Sequence, residues 1–247
     1  MPSSSDWNEL VPMGNRFDSP NKNSGGMVGG QPTHVVIHIT GTNDQQSVHN
    51  TFMNASQQRS AQYLIGADGS LFQYARDRDR AWHAGIGATV RALYARAPSV
   101  WRRYLRYFSW YRGYPADAVY VDADLQPTTK ASAAFVAQGG GGPWTHYTYF
   151  DRRWPGQAGP HNYVVDPDPN RYAVGIETMG VGGPTNNPGV YTPAMYKTLD
   201  RLLDNLSAKY SIPRQKGRMV GHEDVNPVER FGWDPNAGFD WSVVYKP

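Results

Sequence analysis

The sequence predicts a single α/β domain, a central mixed β-sheet flanked by helices, and three observations carry that expectation. THVVIHIT (33–40) and YAVGIETMG (172–180) are compact, β-branched runs suited to buried strands. Asp68-Gly69 separates two further short apolar runs, which is a hairpin signal. A leucine stripe follows Thr192-Pro193 at three- and four-residue steps, as an amphipathic helix requires.

Taken in order, residues 1–30 are polar and rich in Ser, Asn and Gly, ending in NSGGMVGG, and they read as an extended arm, with the domain spanning 31–247. In THVVIHIT, alternation puts His34, Val36 and His38 on one face and Val35, Ile37 and Ile39 on the other. Ser47 to Arg59, with Val48, Phe52 and Met53 spaced through polar residues, predicts a helix lying on that strand. SAQYLIGADGSLFQYA predicts the hairpin. Residues 89–170 are punctuated by Gly and Pro, Gly139 to Gly142 included, and read as a large insertion. After YAVGIETMG, Thr192 is a suitable N-cap and Pro193 a suitable first helical residue for a helix through Lys209 that buries Leu199, Leu202, Leu203 and Leu206. GRMV then forms a short strand that delivers GHEDVNP.

Composition removes several function classes. With no cysteine among 247 residues, thiol nucleophiles, disulfides and cysteine-containing zinc sites are excluded, so any metal must rest on His, Asp or Glu. No apolar run approaches the roughly 18–20 residues of a membrane span, and MPSSSDWNELVPMGNRF lacks the pattern of a secretory signal. A net charge of +3 is too mild to imply nucleic acid as a partner. Between Thr89 and Tyr114, six arginines interleave with Tyr94, Trp101, Tyr104, Tyr107, Phe108, Trp110 and Tyr111. The first reading is an amphipathic helix burying Leu93, Val100, Tyr104 and Tyr107; a groove wall or partner surface comes second and nucleic-acid stacking last.

His38 and His222 both fall at the ends of strands, where functional side chains project from an α/β sheet. A catalytic zinc takes three protein ligands and keeps one position open, and after two imidazoles the third ligand is commonly a carboxylate. Glu223, Asp224, Glu229 and Asp234 are the candidates in this chain. His34 lies four residues before His38, about 13 Å away along a strand rising ~3.3 Å per residue, too far to share the ion.

Four segments, in order, resemble the zinc-dependent N-acetylmuramoyl-L-alanine amidases, which share a fold with peptidoglycan recognition proteins and phage amidase lysozymes. THVVIHIT resembles the strand presenting the first zinc histidine. SAQYLIGADGSLFQYARDRDRAWHAG resembles the family's hairpin and Trp-His-Ala-Gly turn. YAVGIETMG is similar to the strand bearing a catalytic glutamate, and GHEDVNPVERFGWDPN to the final loop with its histidine and aspartate.

The resemblance implies zinc held by His38, His222 and Asp234, with Glu177 as the proton acceptor for the attacking water. The family's lysine two residues before the ligand aspartate is replaced by Gly232, and Arg230 is the substitute for stabilising the oxyanion. Trp82, His83 and Gln62, where relatives often carry histidine, are implied as substrate-groove residues. Asp224 reads as an Asx residue fastening its loop, and with Glu229 it is the fallback ligand. The implied reaction is hydrolysis of the amide between N-acetylmuramic acid and L-alanine, with peptidoglycan or muropeptides as substrate. The competing expectation is a peptidoglycan-binding module without hydrolysis. Without a visible signal, action on the cell wall implies a specialised secretion apparatus or lysis, as for an antibacterial effector or lysin. The insertion would then offer surface to a carrier or an inhibitor protein. Recycling of fragments in the cytoplasm is the alternative.

Overall fold

The computed structural model describes residues 7–85, 168–181, 190–215, 218–225, 230, 233–236 and 238–246, with the backbone of four two-residue strands between 120 and 143. The Arg/aromatic segment at 89–114, and all but the last residues of the expected insertion, lie outside this description apart from those short strands.

The central sheet has five strands. They are β1 (His34–Ile39), β2 (Tyr63–Ile65), β3 (Leu71–Gln73), β4 (Ala173–Thr178) and β5 (Met219–Gly221), in the spatial order β5-β1-β4-β2-β3. The first four run parallel and β3 returns antiparallel at the edge, so the sheet is mixed as expected. Helix α1 (Gln45–Met53) is capped by Asp44, whose carboxylate accepts from Ser47 N–H. Helix α2 spans Pro193–Tyr210, and the four-residue helix α3 (His222–Val225) follows β5 directly.

Helix α2 forms where its sequence predicts. Thr192 accepts from Met195 N–H and Pro193 occupies the first turn. The buried stripe Met195, Leu199, Leu202, Leu203, Leu206 and Tyr210 joins one core with Val35, Ile37, Ile39, Tyr63, Ile65, Val174 and Ile176. Burial of each large aliphatic side chain contributes roughly 1.5–3 kcal/mol, which makes this layer the main source of cohesion. The hairpin turn sits under the N-terminus of α2: Gly69 has φ +82°, and a Cβ there would come 2.8 Å from Ala194 O. Thr198 Oγ1 donates to Gly69 O at 2.7 Å, tying the turn to the helix.

The N-terminal segment differs from the loose arm expected. Asn8, Val11, Ser19, Asn21 and Met27 are buried. Phe17 N–H and Ser19 N–H donate to Gln73 O and Tyr74 O, covering the open edge of β3. Lys22–Asn23 pairs antiparallel with Arg80–Ala81. Ser19 Oγ donates to Phe52 O, and Asn21 Nδ2 donates toward Phe52 O, Asn54 O and Arg59 O. The carbonyls left over at the end of α1 thus draw donors from this segment. Its polar composition reflects that use rather than solvation.

Candidate functional site

With one sheet face committed to α2, the other carries the chemistry. His38 lies directly across the ladder from Glu177, which puts both side chains on the same face of adjacent parallel strands. Gly221, the last residue of β5, is level with Ile37, so His222 comes level with His38. Three neighbouring strand ends therefore present His222, His38 and Glu177 side by side, at the carboxyl edge where α/β sheets bind ligands.

Asp234 arrives from the loop that folds over the end of β5. A Cβ on Gly221 would meet Pro235 Cδ at 2.6 Å, so the close approach of this loop requires glycine there. Glu223 N–H donates to Asp234 O at 2.7 Å, and Ile39 N–H donates to Asp234 Oδ1 at 3.0 Å. So fixed, the carboxylate lies 2.9 Å from His222 Nδ1 through Oδ2 and 3.6 Å from His38 Nδ1 through Oδ1. All three residues are buried, with one ligand atom from each within 4.8 Å of the others.

The donor set suits a zinc ion. Tetrahedral coordination at ~2.0–2.1 Å places ligand atoms about 3.3 Å apart, and the two nitrogen–oxygen separations bracket that value. Two imidazoles and one carboxylate are a hydrolytic type of donor set. Burial lowers His38, against the pull of Asp234, so its imidazole is neutral and able to ligate near neutral pH. Burial alone would raise Asp234, but its interactions with the neighbouring His38 and His222 rings hold it well below the usual carboxylate range. A carboxylate that stays ionised is what a cation requires.

Glu177 behaves in the opposite way. Burial, reinforced by the negative charge of Asp234, pushes it well above its ordinary value, and Arg230 only partly offsets this. Its Oε2 is shut off from solvent with no hydrogen-bond partner among the described residues. The two carboxylates are thus driven in opposite directions, Asp234 to hold charge and Glu177 to bind a proton more readily.

These groups line a pocket of about 990 Å³ whose walls include Trp82, His83, Arg59, Arg230 and Trp233. Trp82 turns its indole N–H to Asn23 Oδ1 at 2.9 Å. The Arg230 guanidinium lies 4.3 Å from the centre of the Trp233 ring. His83 is in the wall, but its ring nitrogens face His38 and Ala173 O. Gln62 is placed differently from the expected groove residue: it is fully buried, accepts from Gly175 N–H at 2.7 Å and donates to Asp79 O at 2.8 Å. A carboxamide spent on two backbone groups holds the sheet rather than a ligand. The side chains of Asp224 and Glu229 lie outside the described residues.

Asn170 escaped sequence reasoning. Its Oδ1 accepts from His83 N–H and Ala84 N–H at 3.0 and 2.8 Å, and its Nδ2 donates to Ala84 O at 2.8 Å. Sitting in a Pro-rich turn that composition marks only as a loop, it gave no signal.

Comparison with known proteins follows the same lines. A crystal structure of a selenomethionine AmpD derivative superposes with a TM-score of 0.53 over 99% of this chain and 97% of that one, at 19% identity, a likeness of fold. The 1,6-anhydro-N-acetylmuramyl-L-alanine amidase AmpD of Haemophilus influenzae is 35% identical over 99 residues, 39% of this chain and 48% of the relative. The chain thus spans about half the length of that curated relative. Residues 28–237 match the family model Amidase_2, described as N-acetylmuramoyl-L-alanine amidase. With most of its length inside that match, the chain belongs to the N-acetylmuramoyl-L-alanine amidase family.

Proposed function

We propose that the protein is a zinc-dependent hydrolase of the amide bond between N-acetylmuramic acid and the L-alanine of a muropeptide. The observation that carries this reading is the convergence of His38, His222 and Asp234 beside Glu177 on the floor of one pocket. Bound there, zinc supplies Lewis acidity, polarising a carbonyl oxygen and making water a competent nucleophile near neutral pH.

The remaining work falls to the chain's own groups. Glu177, with one oxygen that has no hydrogen-bond partner among the described residues, accepts the proton of the attacking water and passes it to the departing amine nitrogen, since an amide anion is too basic to leave. Its raised affinity for the proton lets it hold that proton between the two steps. The Arg230 guanidinium, stacked on Trp233 in the pocket wall, donates hydrogen bonds to the oxygen on which charge develops. Trp82 offers an apolar face to the sugar or stem peptide.

The 1,6-anhydro sugar in the relative's name favours a soluble anhydro-muropeptide over the intact wall as substrate. It correspondingly favours fragment recycling over the effector or lysin role, with its carrier or inhibitor protein, expected from the sequence. Among the described residues no helix is long and apolar enough to cross a membrane.

The test is to incubate zinc-loaded protein with an anhydro-muropeptide and, separately, with sacculi, following release of stem peptide. Hydrolysis is expected with the first, together with its loss in Glu177→Gln at unchanged zinc content. Stoichiometric zinc without hydrolysis of either substrate would overturn the reading, and binding without metal would leave a recognition module instead.

A further inference from the structure

The two imidazoles both turn Nδ1 toward Asp234, and their opposite nitrogens both meet the turn formed by residues 82–85. The His83 ring lies against the backbone of β4 at Gly175, where a Cβ would come 2.4 Å from its Cγ. From that position Nε2 is 3.1 Å from Ala173 O and Nδ1 is 3.1 Å from His38 Nε2. A carbonyl only accepts, so Nε2 of His83 carries the proton and its Nδ1 is an acceptor. His38 Nε2 must then be the donor. A neutral imidazole has one proton, so the lone pair of His38 lies on Nδ1, facing Asp234.

His222 is held by a different logic. Gly85 sets both its C=O, at 3.1 Å, and its N–H, at 3.3 Å, against the same Nε2. A protonated Nε2 finds the carbonyl, and an unprotonated one finds the N–H. With Nδ1 at 2.9 Å from Asp234, His222 can donate to the carboxylate or release that nitrogen without leaving Nε2 unpaired. One imidazole is locked and the other is adaptable.

We propose that His83 is a positioning residue that fixes the tautomer of His38, so that Nδ1 is a ready ligand before any ion arrives. Asn170 acts one step further out, by clamping the backbone of His83 and Ala84. The ligand role of Nδ1 rests on the zinc reading above; the tautomer assignment does not.

The test uses the full chain, metal-free, with long-range proton–nitrogen correlation spectra of the histidine rings. His38 is expected as the Nε2–H form in the wild type. His83→Phe, which fills the space over Gly175 without an acceptor, shifts His38 away from that form. His83→Asn, whose Oδ1 replaces Nδ1, restores it. Zinc affinity, measured by competition with a chromophoric chelator, falls roughly 10–100-fold in His83→Phe and recovers in His83→Asn. A purely structural role would change unfolding of both variants and leave the tautomer alone. His38 carrying its proton on Nδ1 in the wild type, or an unchanged tautomer and zinc affinity in His83→Phe, overturns the inference. A wild type with the expected tautomer that binds no zinc overturns the proposed function and leaves the positioning role standing.

Discussion

Gly175→Ala tests the contact on which the site's outer support depends. The new Cβ would stand 2.4 Å from His83 Cγ and 2.7 Å from both Cδ2 and Nδ1. Ordinary carbon contacts need about 3.5 Å or more, so the ring must lift by roughly 1.1 Å. The main chain of His83 is clamped by Asn170, so the ring pivots rather than translates. Its two 3.1 Å hydrogen bonds then lengthen and leave the ring plane. Overpacking of this kind costs about 1–3 kcal/mol, and two weakened hydrogen bonds add about 1 kcal/mol together. Replacing glycine in a strand returns about 0.5–1 kcal/mol. The expected net loss is about 2–3 kcal/mol, read from urea unfolding of the metal-free chain. Gly14→Ala is the control, since a Cβ there meets nothing within 4 Å, and it should stay within about 0.5 kcal/mol of wild type. In a His83→Ala background most of the Gly175→Ala penalty should vanish, because the obstructing ring is gone. A penalty of equal size in both backgrounds would refute the contact as its cause.

Three further outcomes follow from the packing. Asp77 accepts from Tyr63 and Gln73 on one oxygen and from Lys209 and Tyr210 on the other, so Asp77→Ala should cost about 3–5 kcal/mol and Asp77→Asn distinctly less; equal unfolding midpoints for the two would contradict this. Asn21→Ala removes the donor shared by the carbonyls of Phe52, Asn54 and Arg59 and should destabilise the chain by about 2 kcal/mol in thermal or urea unfolding, whereas a loose N-terminal segment predicts no change. The third outcome concerns pH. Burial lowers the pKa of His34, His38 and His83 in the folded state, so the unfolded chain binds more protons below its histidine pKa of about 6.5, and metal-free stability falls as pH drops through that value. Glu177, raised by burial, opposes this by one proton, because the folded state protonates first. Three histidines acting against one glutamate leave a net loss of stability on acidification below about 6.5, and Asp234 adds its own loss only below about 3.8. Urea midpoints at pH 7.5, 6.5 and 5.5 in chelator check it, and a flat profile would refute the burial of these rings.

Elements governed by local rules were legible in the sequence. The α2 cap at Thr192, its Leu199–Leu206 stripe and the Asp68-Gly69 turn depend on neighbours within a few residues, and each formed where expected. The alternation of His34, Val36 and His38 against Val35, Ile37 and Ile39 likewise fixed which face could hold chemistry. What alternation could not supply is register. That Glu177 stands opposite His38, rather than one residue away on the far face, is decided only when the strands align. The N-terminal segment was misread because Ser19 and Asn21 look the same in a sequence whether they meet water or the carbonyls of α1. Gln62 looked like a groove residue because relatives often carry histidine there, and His83, which does line the pocket, turns its ring nitrogens to His38 and Ala173 O. Their polar atoms are consumed by backbone and by His38, contacts that no spacing rule foretells. Asn170, contacting Ala84 from 86 residues away, left no local trace at all.

The bond from Ile39 to the Asp234 carboxylate spans 195 positions, and strand β5 must dock beside β1 before His222 has a place to stand. A fragment that stops before β5 holds only one of the three buried ligand candidates, His38. The three-residue set is therefore complete only once residues 219–234 have been made. No half-made product can display a working fraction of it, and a stop codon just upstream of residue 222 removes the centre entirely while leaving most of the scaffold encoded.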